Sequence, residues 1–96
     1  MAYWTFFSNH AHVLILLCSE PDLRMRDIAH KVDITERAVQ RIIRDLEEEG
    51  YLVITKEGRR NHYTPQLDAH LRHPLESSIT IRELLSGLNQ SENPSD

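Results

Sequence analysis

Apolar and polar residues recur with helical spacing between positions 35 and 49, and this segment organises the rest of the chain. An α-helix advances about 100° per residue, so residues three and four apart share a face. One face is apolar, with Val39, Ile42, Ile43 and Leu46. The opposite face is polar, with Arg37, Gln40, Arg41 and Arg44. The pattern predicts an amphipathic helix over Thr35–Glu49, with the Thr35 hydroxyl as its N-cap.

Two more helices are predicted before this central helix. Ser8 or Asn9 can cap a first helix over residues 9–19, whose strongly apolar sequence is typical of a buried helix. A short second helix is predicted over residues 27–32, and Asp33 then begins a turn. Two helices joined by so short a turn form a helix-turn-helix.

A β-hairpin is predicted directly after the central helix. Gly50 stands where a left-handed C-terminal residue ends a helix, and residues 51–55 are rich in strand formers. Residues 56–59 predict a turn, with Gly58 free to adopt a positive φ. A second strand is predicted over residues 60–64. The hairpin tip would then carry three basic residues: Lys56, Arg59 and Arg60.

The C-terminal third predicts an ordered loop, one helix and a tail. Residues 66–78 have little periodicity, whereas Thr80 and Glu83 have the spacing of a capping box. We expect a C-terminal helix within residues 79–88, beginning at Ile81, and a disordered tail over residues 89–96.

These elements predict an α+β, mainly α fold in a single domain over residues 1–88. Residues 1–7 form an arm with four aromatic residues, Tyr3, Trp4, Phe6 and Phe7. The arm has two interpretations, as a cap on its own core or as a contact with a second subunit. A domain of 96 residues buries a modest core, so oligomerisation would add stability.

The charge distribution is more informative than the net charge of −4. Nine of the eleven Lys and Arg residues lie between Arg24 and Arg60. Spacing also allows ion pairs between Arg41 and Asp45 and between Arg44 and Glu48, which would compete with an anionic ligand. No stretch is long and apolar enough to span a bilayer, and no secretory signal is evident. The single cysteine, Cys18, predicts a reduced, buried thiol in a cytoplasmic protein.

Four stretches in this order resemble small winged helix-turn-helix regulators of the MarR and ArsR kind. They are residues 26–29, 34–39, 46–52 and 58–63. The resemblance implies a recognition helix in a major groove of double-stranded DNA, a wing on the neighbouring backbone or minor groove, and a homodimer. The recognition residues would be Thr35, Arg37, Gln40, Arg41 and Arg44. The wing residues would be Lys56, Arg59, Arg60, Asn61 and His62, and Arg26 would approach a phosphate. The dimer interface would use Trp4, Phe6, Phe7, Leu14, Ile81, Leu84, Leu85 and Leu88.

We therefore expect a sequence-specific DNA-binding transcription regulator, a homodimeric repressor. The alternative is a winged helix module that binds proteins and not nucleic acid, which the acidic net charge favours. We expect no enzyme activity, because glycine-rich phosphate loops and nucleophile motifs are absent from the sequence. We also expect no metal site, since His10 and His12 point to different sides of a helix and Pro74 interrupts the His70–His73 segment. No cofactor and no small-molecule effector are expected either.

Overall fold

The structure is a computed structural model that describes residues 4–92, with side chains described for residues 4–88. Residues 1–3 and 93–96, which include Tyr3 of the predicted arm and half of the predicted tail, lie outside the described residues. The elements in chain order are α1 (Asn9–Ser19), α2 (Met25–Val32), α3 (Glu36–Glu48), β1 (Leu52–Glu57), β2 (Arg60–Pro65) and α4 (Ile81–Glu92). The α+β, mainly helical winged helix fold is as predicted. The chain divides into two compact units after Pro65, and the prediction of one domain over residues 1–88 stays a prediction.

Helix starts and ends follow local side-chain chemistry. The Ser8 hydroxyl accepts a hydrogen bond from the Ala11 N–H at the start of α1. At the start of α3, the Thr35 hydroxyl accepts from the Ala38 N–H over 3.0 Å. Each cap satisfies a backbone donor that has no partner inside its helix. Both predicted caps are therefore confirmed.

Two left-handed residues end the helices that flank the turn. Asp33 has a φ of 67°, and its N–H donates to the Ala29 carbonyl over 2.8 Å. Gly50 has a φ of 83° just after α3. Asp tolerates this region better than most residues, and Gly adopts it without steric cost. The short turn between α2 and α3 and the entry into the hairpin depend on these two conformations.

The core of the first unit lies between the three helices and the hairpin. Its buried residues are Val13, Leu14, Leu17, Ile28, Ala29, Val39, Ile42, Ile43, Leu46, Tyr51, Leu52 and Tyr63. The four apolar residues predicted on the inner face of α3 are all among them. Tyr63 faces this core from β2 and anchors the hairpin.

The hairpin is longer and its turn shorter than predicted. Leu52 pairs with Pro65, and Glu57 pairs with Arg60 at the other end of the antiparallel ladder. The turn therefore contains only Gly58 and Arg59, with a φ of 65° at Gly58. A glycine with positive φ at the first of two loop residues suits a tight hairpin. The prediction placed Lys56 in the turn, whereas in the structure it lies within β1.

Helix bounds differ from the predictions at two other places. Helix α2 begins at Met25, two residues before the predicted start. Helix α4 continues to Glu92, so that half of the predicted disordered tail is helical. In the second unit, Thr80 and Glu83 form the predicted capping box, since the Thr80 N–H donates to Glu83 Oε1 over 2.9 Å and the Glu83 N–H donates to Thr80 Oγ1 over 3.2 Å.

Candidate nucleic-acid interface

The outer face of α3 presents a row of polar side chains to solvent. Arg37, Gln40, Arg41 and Arg44 are all exposed, whereas the apolar residues on the other side of the helix are buried. Thr35 lies at the helix start, where its hydroxyl is engaged as the N-cap. Three guanidinium groups and one amide thus share one accessible surface. Guanidinium groups can donate two hydrogen bonds to guanine or to phosphate, and a glutamine amide can pair with adenine.

The predicted ion pairs along α3 are wrong. Within the described residues, neither Arg41 and Asp45 nor Arg44 and Glu48 form a pair. Asp45 instead contacts α1, where its Oδ2 lies 2.9 Å from His10 Nε2. Because the Asp45 carboxylate contacts His10, it does not pair with the Arg41 guanidinium. The sequence spacing could not indicate this, since His10 and Asp45 are distant along the chain.

The hairpin residues predicted to bind DNA have different surroundings. Arg60 donates through Nη2 to the Asp22 backbone carbonyl, and His62 Nδ1 lies 2.7 Å from Asp22 Oδ1. Asn61 donates through Nδ2 to the Tyr63 hydroxyl over 3.3 Å. These three side chains hold the hairpin to the link after α1 and to its own core. Arg59 at the turn and Lys56 on β1 are exposed, and neither side chain forms a hydrogen bond or an ion pair within the described residues.

A basic pocket lies between the start of α2 and the hairpin. Its lining residues are Leu23, Arg24, Met25, Arg59, Arg60, Asn61 and Tyr63. Arg24 is the N-cap of α2 and makes no side-chain capping hydrogen bond. The positive end of the α2 dipole and three arginines therefore surround one concavity, which suits a phosphate. Sequence reasoning missed Arg24, because the predicted helix began two residues too late. Arg26 is exposed in the first turn of α2.

The residues predicted for a dimer interface divide by exposure. Trp4 is 71% exposed and Phe6 is 91% exposed, and their rings meet edge to face at 5.4 Å between centroids. Trp4 and Phe6 therefore do not cap the core of their own chain. By contrast, Leu14 and Ile81 are only 5% and 1% exposed, so neither offers surface to another subunit in this conformation. The remaining four, Phe7, Leu84, Leu85 and Leu88, are partly exposed.

Cys18 is not suited to redox sensing. It is a free thiol on α1, partly covered by its neighbours. Burial raises the pKa of the Cys18 thiol to about 11, because the thiolate is disfavoured away from water. At neutral pH the group is therefore an unreactive thiol, since the thiolate is the nucleophile.

We expect Cys18 to react slowly with iodoacetamide at pH 8 in the folded protein. The raised pKa keeps the thiolate fraction about a hundredfold below that of an ordinary cysteine. The measurement is the alkylation rate by mass spectrometry, with the urea-unfolded chain as control. Equal rates in the folded and unfolded chains would contradict this account.

His62 is the histidine most affected by its surroundings. Its pKa is raised above the ordinary value of 6.5, mainly by the hydrogen bond to Asp22; desolvation opposes this rise, and the charges of Asp22 and Glu57 add to it. The raised pKa means that folding favours the protonated imidazole. The stabilisation is therefore fully present below pH 6.5 and is lost as the pH rises through the raised pKa.

Replacing Asp22 by asparagine should return the pKa of His62 towards 6.5. The amide keeps the shape of the side chain but removes the charge that favours imidazolium. An NMR titration of the His62 ring protons measures the pKa in both proteins, with the exposed His30 as internal control. An unchanged His62 pKa in the Asp22→Asn protein would exclude this pair as the cause.

No helix in the described part of the chain combines the length and the apolar character that a membrane crossing requires.

Comparisons with known proteins agree with this architecture. The family described as winged helix-turn-helix DNA-binding matches residues 9–53, from the start of α1 into β1. Comparison with curated proteins gives no match. Among solved structures, the chain is similar to MepR, a transcription regulator of the Staphylococcus aureus multidrug efflux pump MepA. The two are 17% identical with a TM-score of 0.57, and the match covers 88% of this chain and 61% of the MepR chain. Lactococcus lactis ZitR, solved in complex with DNA, is 22% identical with a TM-score of 0.56, and the match covers 96% of this chain and 64% of the ZitR chain.

These identities establish a shared fold, and the present chain spans less than two thirds of either neighbour. The matched segment contains the helix-turn-helix and its predicted recognition helix. The order of helices, the two-residue turn of the hairpin and the family match lead to one assignment. The chain has a winged helix-turn-helix fold, which is similar over residues 9–53 to the winged helix-turn-helix DNA-binding family and which it shares with MepR and ZitR.

Proposed function

We propose that the protein is a sequence-specific, double-stranded DNA-binding transcription regulator that acts as a homodimeric repressor in the cytoplasm. The observation that carries the proposal is the outer face of α3, where Arg37, Gln40, Arg41 and Arg44 are exposed together. Their chemistry suits guanine, adenine and phosphate. The family match and a neighbour solved in complex with DNA support the same function. MepR, described as a transcription regulator, supports the regulatory role.

In this proposal α3 enters the major groove, and the hairpin and the basic pocket bind the backbone beside it. Gln40 and Arg41 would reach base edges, and Arg44 would contact a base or a phosphate. Arg24 and Arg59, which line the pocket between α2 and the hairpin, would bind one phosphate. The negative net charge does not oppose this arrangement, because binding depends on the local field of the docking face.

Homodimerisation follows from the same proposal. A dimer places two recognition helices about 34–36 Å apart, one helical turn of DNA, and therefore favours a palindromic site. The exposed aromatic side chains of Trp4 and Phe6 are candidates for the contact between subunits, since large exposed aromatics are enriched at interfaces. A repressor would act by covering an operator and excluding polymerase.

The experiment that tests base reading is the Gln40→Ala substitution. If the Gln40 amide pairs with an adenine, its loss should lower discrimination at one base pair by about tenfold and leave binding to unrelated duplexes unchanged. Binding is measured by fluorescence anisotropy on a selected duplex and on its single-base variants. The matched control is Gln66→Ala, a glutamine outside the proposed face. A uniform loss on all duplexes would contradict base reading by Gln40.

A protein-interaction module is the second candidate, and the acidic net charge and the exposed run Glu47–Glu49 favour it. The two functions differ in their dependence on salt. A DNA-binding protein loses affinity for duplexes steeply as salt rises, because cations are released from the phosphates on binding. Absence of duplex binding even at low salt would favour the interaction module.

A further inference from the structure

Three potential metal ligands converge on the side of the hairpin that faces away from Tyr63. They are the carboxylates of Asp22 and Glu57 and the imidazole of His62. One ligand atom from each residue lies within 4.8 Å of the other two. The ligands come from three segments: the link after α1, the end of β1 and the middle of β2.

The pairing of the hairpin explains why two of these side chains meet. In the ladder, Glu57 pairs with Arg60 and Thr55 pairs with His62. Side chains alternate between the two faces of a strand, so Glu57 and His62 lie on the same face as diagonal neighbours. Tyr63, one residue further along, points the opposite way into the core.

A backbone hydrogen bond holds the third ligand beside this face. The Tyr63 N–H donates to the Pro21 carbonyl over 3.0 Å, so the link after α1 contacts β2 at this point. Asp22 follows Pro21 directly, and its Oδ1 lies 2.7 Å from His62 Nδ1. Backbone hydrogen bonds, within the hairpin and between Tyr63 and Pro21, therefore hold the three ligands near one another.

We propose that Asp22, Glu57 and His62 form a binding site for one divalent transition-metal ion, with Zn²⁺ as the best fit. One imidazole nitrogen and two carboxylate oxygens form a mixed set that Zn²⁺ accepts readily. Ligand bonds of about 2.0–2.2 Å require the three atoms to lie within about 4.4 Å of one another. Small rotations of these accessible side chains achieve this, and water would complete a tetrahedron.

The charges around the site are compatible with a cation. The two carboxylates supply two negative charges, and a binding zinc ion displaces the proton of His62, whose freed lone pair then replaces the hydrogen bond to Asp22. Arg60 is a positive charge opposite Glu57 in the ladder, and its guanidinium donates to the Asp22 backbone carbonyl and not to either carboxylate. Both carboxylates therefore remain available as ligands. A bound ion would link both hairpin strands to the segment after α1.

The site is tested on the full chain with zinc chloride and without DNA, so the result is independent of the proposed function. Isothermal titration calorimetry at pH 7.5 should give a saturable site with one ion per chain. Zinc should also raise the melting temperature, because a ligand that binds only the folded state stabilises it.

The most informative variant is Glu57→Gln, since the Glu57 side chain forms no hydrogen bond or ion pair within the described residues and the amide preserves its shape. Loss of this ligand should weaken zinc binding by about tenfold or more. Removing a residue that only supports a ligand typically lowers metal affinity by about 10–100-fold, so removing a ligand itself should cost at least as much. His62→Ala should weaken it further. Glu76→Gln and His30→Asn serve as controls that remove an exposed carboxylate and an exposed imidazole elsewhere. The proposal would be overturned if the wild-type protein showed no saturable zinc binding. It would also be overturned if the Glu57→Gln and His62→Ala proteins bound zinc as strongly as the wild type.

Discussion

Replacing Arg41 and Arg44 together by alanine should lower the affinity for a selected DNA duplex by about a hundredfold. Each arginine contact to a base or phosphate contributes about 1–3 kcal/mol, and about 1.4 kcal/mol corresponds to a factor of ten. Both guanidinium groups are exposed on α3, and neither forms an ion pair within the described residues. Their loss should therefore remove contacts to DNA without exposing core surface. Anisotropy titrations of the double variant and the wild type measure the effect.

The matched control for this variant removes two arginines outside the proposed face. Arg72→Ala combined with Arg82→Ala changes the net charge by the same amount, and both residues are exposed in the second unit. This control should change affinity by no more than a few fold. If the two double variants lose affinity equally, net charge alone determines binding, and the account of α3 as the recognition helix is wrong.

Replacing Leu17 by alanine should destabilise the protein by about 3–5 kcal/mol, within the range measured for buried leucines. Leu17 is 0% exposed on α1, so the truncation leaves a cavity inside the core of the first unit. Domains of this size are stable by only about 5–15 kcal/mol, and the loss is a large part of that total. Urea unfolding followed by circular dichroism measures the free energy of unfolding.

Leu75→Ala provides the same chemical change at the surface. Leu75 is 89% exposed, so its truncation should alter the free energy of unfolding by less than about 0.5 kcal/mol. Similar losses for the two leucines would show that Leu17 does not lie in the core as described.

Local sequence chemistry was sufficient to predict the helical framework. Thr35, Gly50 and the Thr80–Glu83 pair act within a few residues of their own positions, and the structure confirms each of them. The apolar spacing of α3 likewise identified which of its faces is buried. In each case the deciding interaction depends on neighbours along the chain, which a sequence displays directly.

Contacts between distant segments could not be predicted in this way. Asp45 pairs with His10 and not with Arg41 of its own helix, as the spacing had allowed. Arg60 and His62, two residues predicted to bind DNA, instead contact Asp22 within the protein. The proposed zinc ligands escaped the sequence search for the same reason. That search considered histidines near one another along the chain, whereas two carboxylates from other segments surround His62.

Predictions about function depend on surfaces, and the structure changes their emphasis. Arg24 joins the candidate DNA-binding residues through the basic pocket. Leu14 and Ile81 are less suitable for a dimer interface than predicted, because both are buried. Periodicity identifies apolar positions, but it does not distinguish the core of one subunit from an interface between two.

The most direct test of the central claim is selection of bound duplexes from a randomised DNA pool, followed by affinity measurements on the enriched sequence over a salt series. We expect a palindromic sequence bound by two chains, with an affinity that falls steeply as salt rises. Failure to enrich any sequence, together with no duplex binding at low salt, would contradict the account of this protein as a DNA-binding regulator.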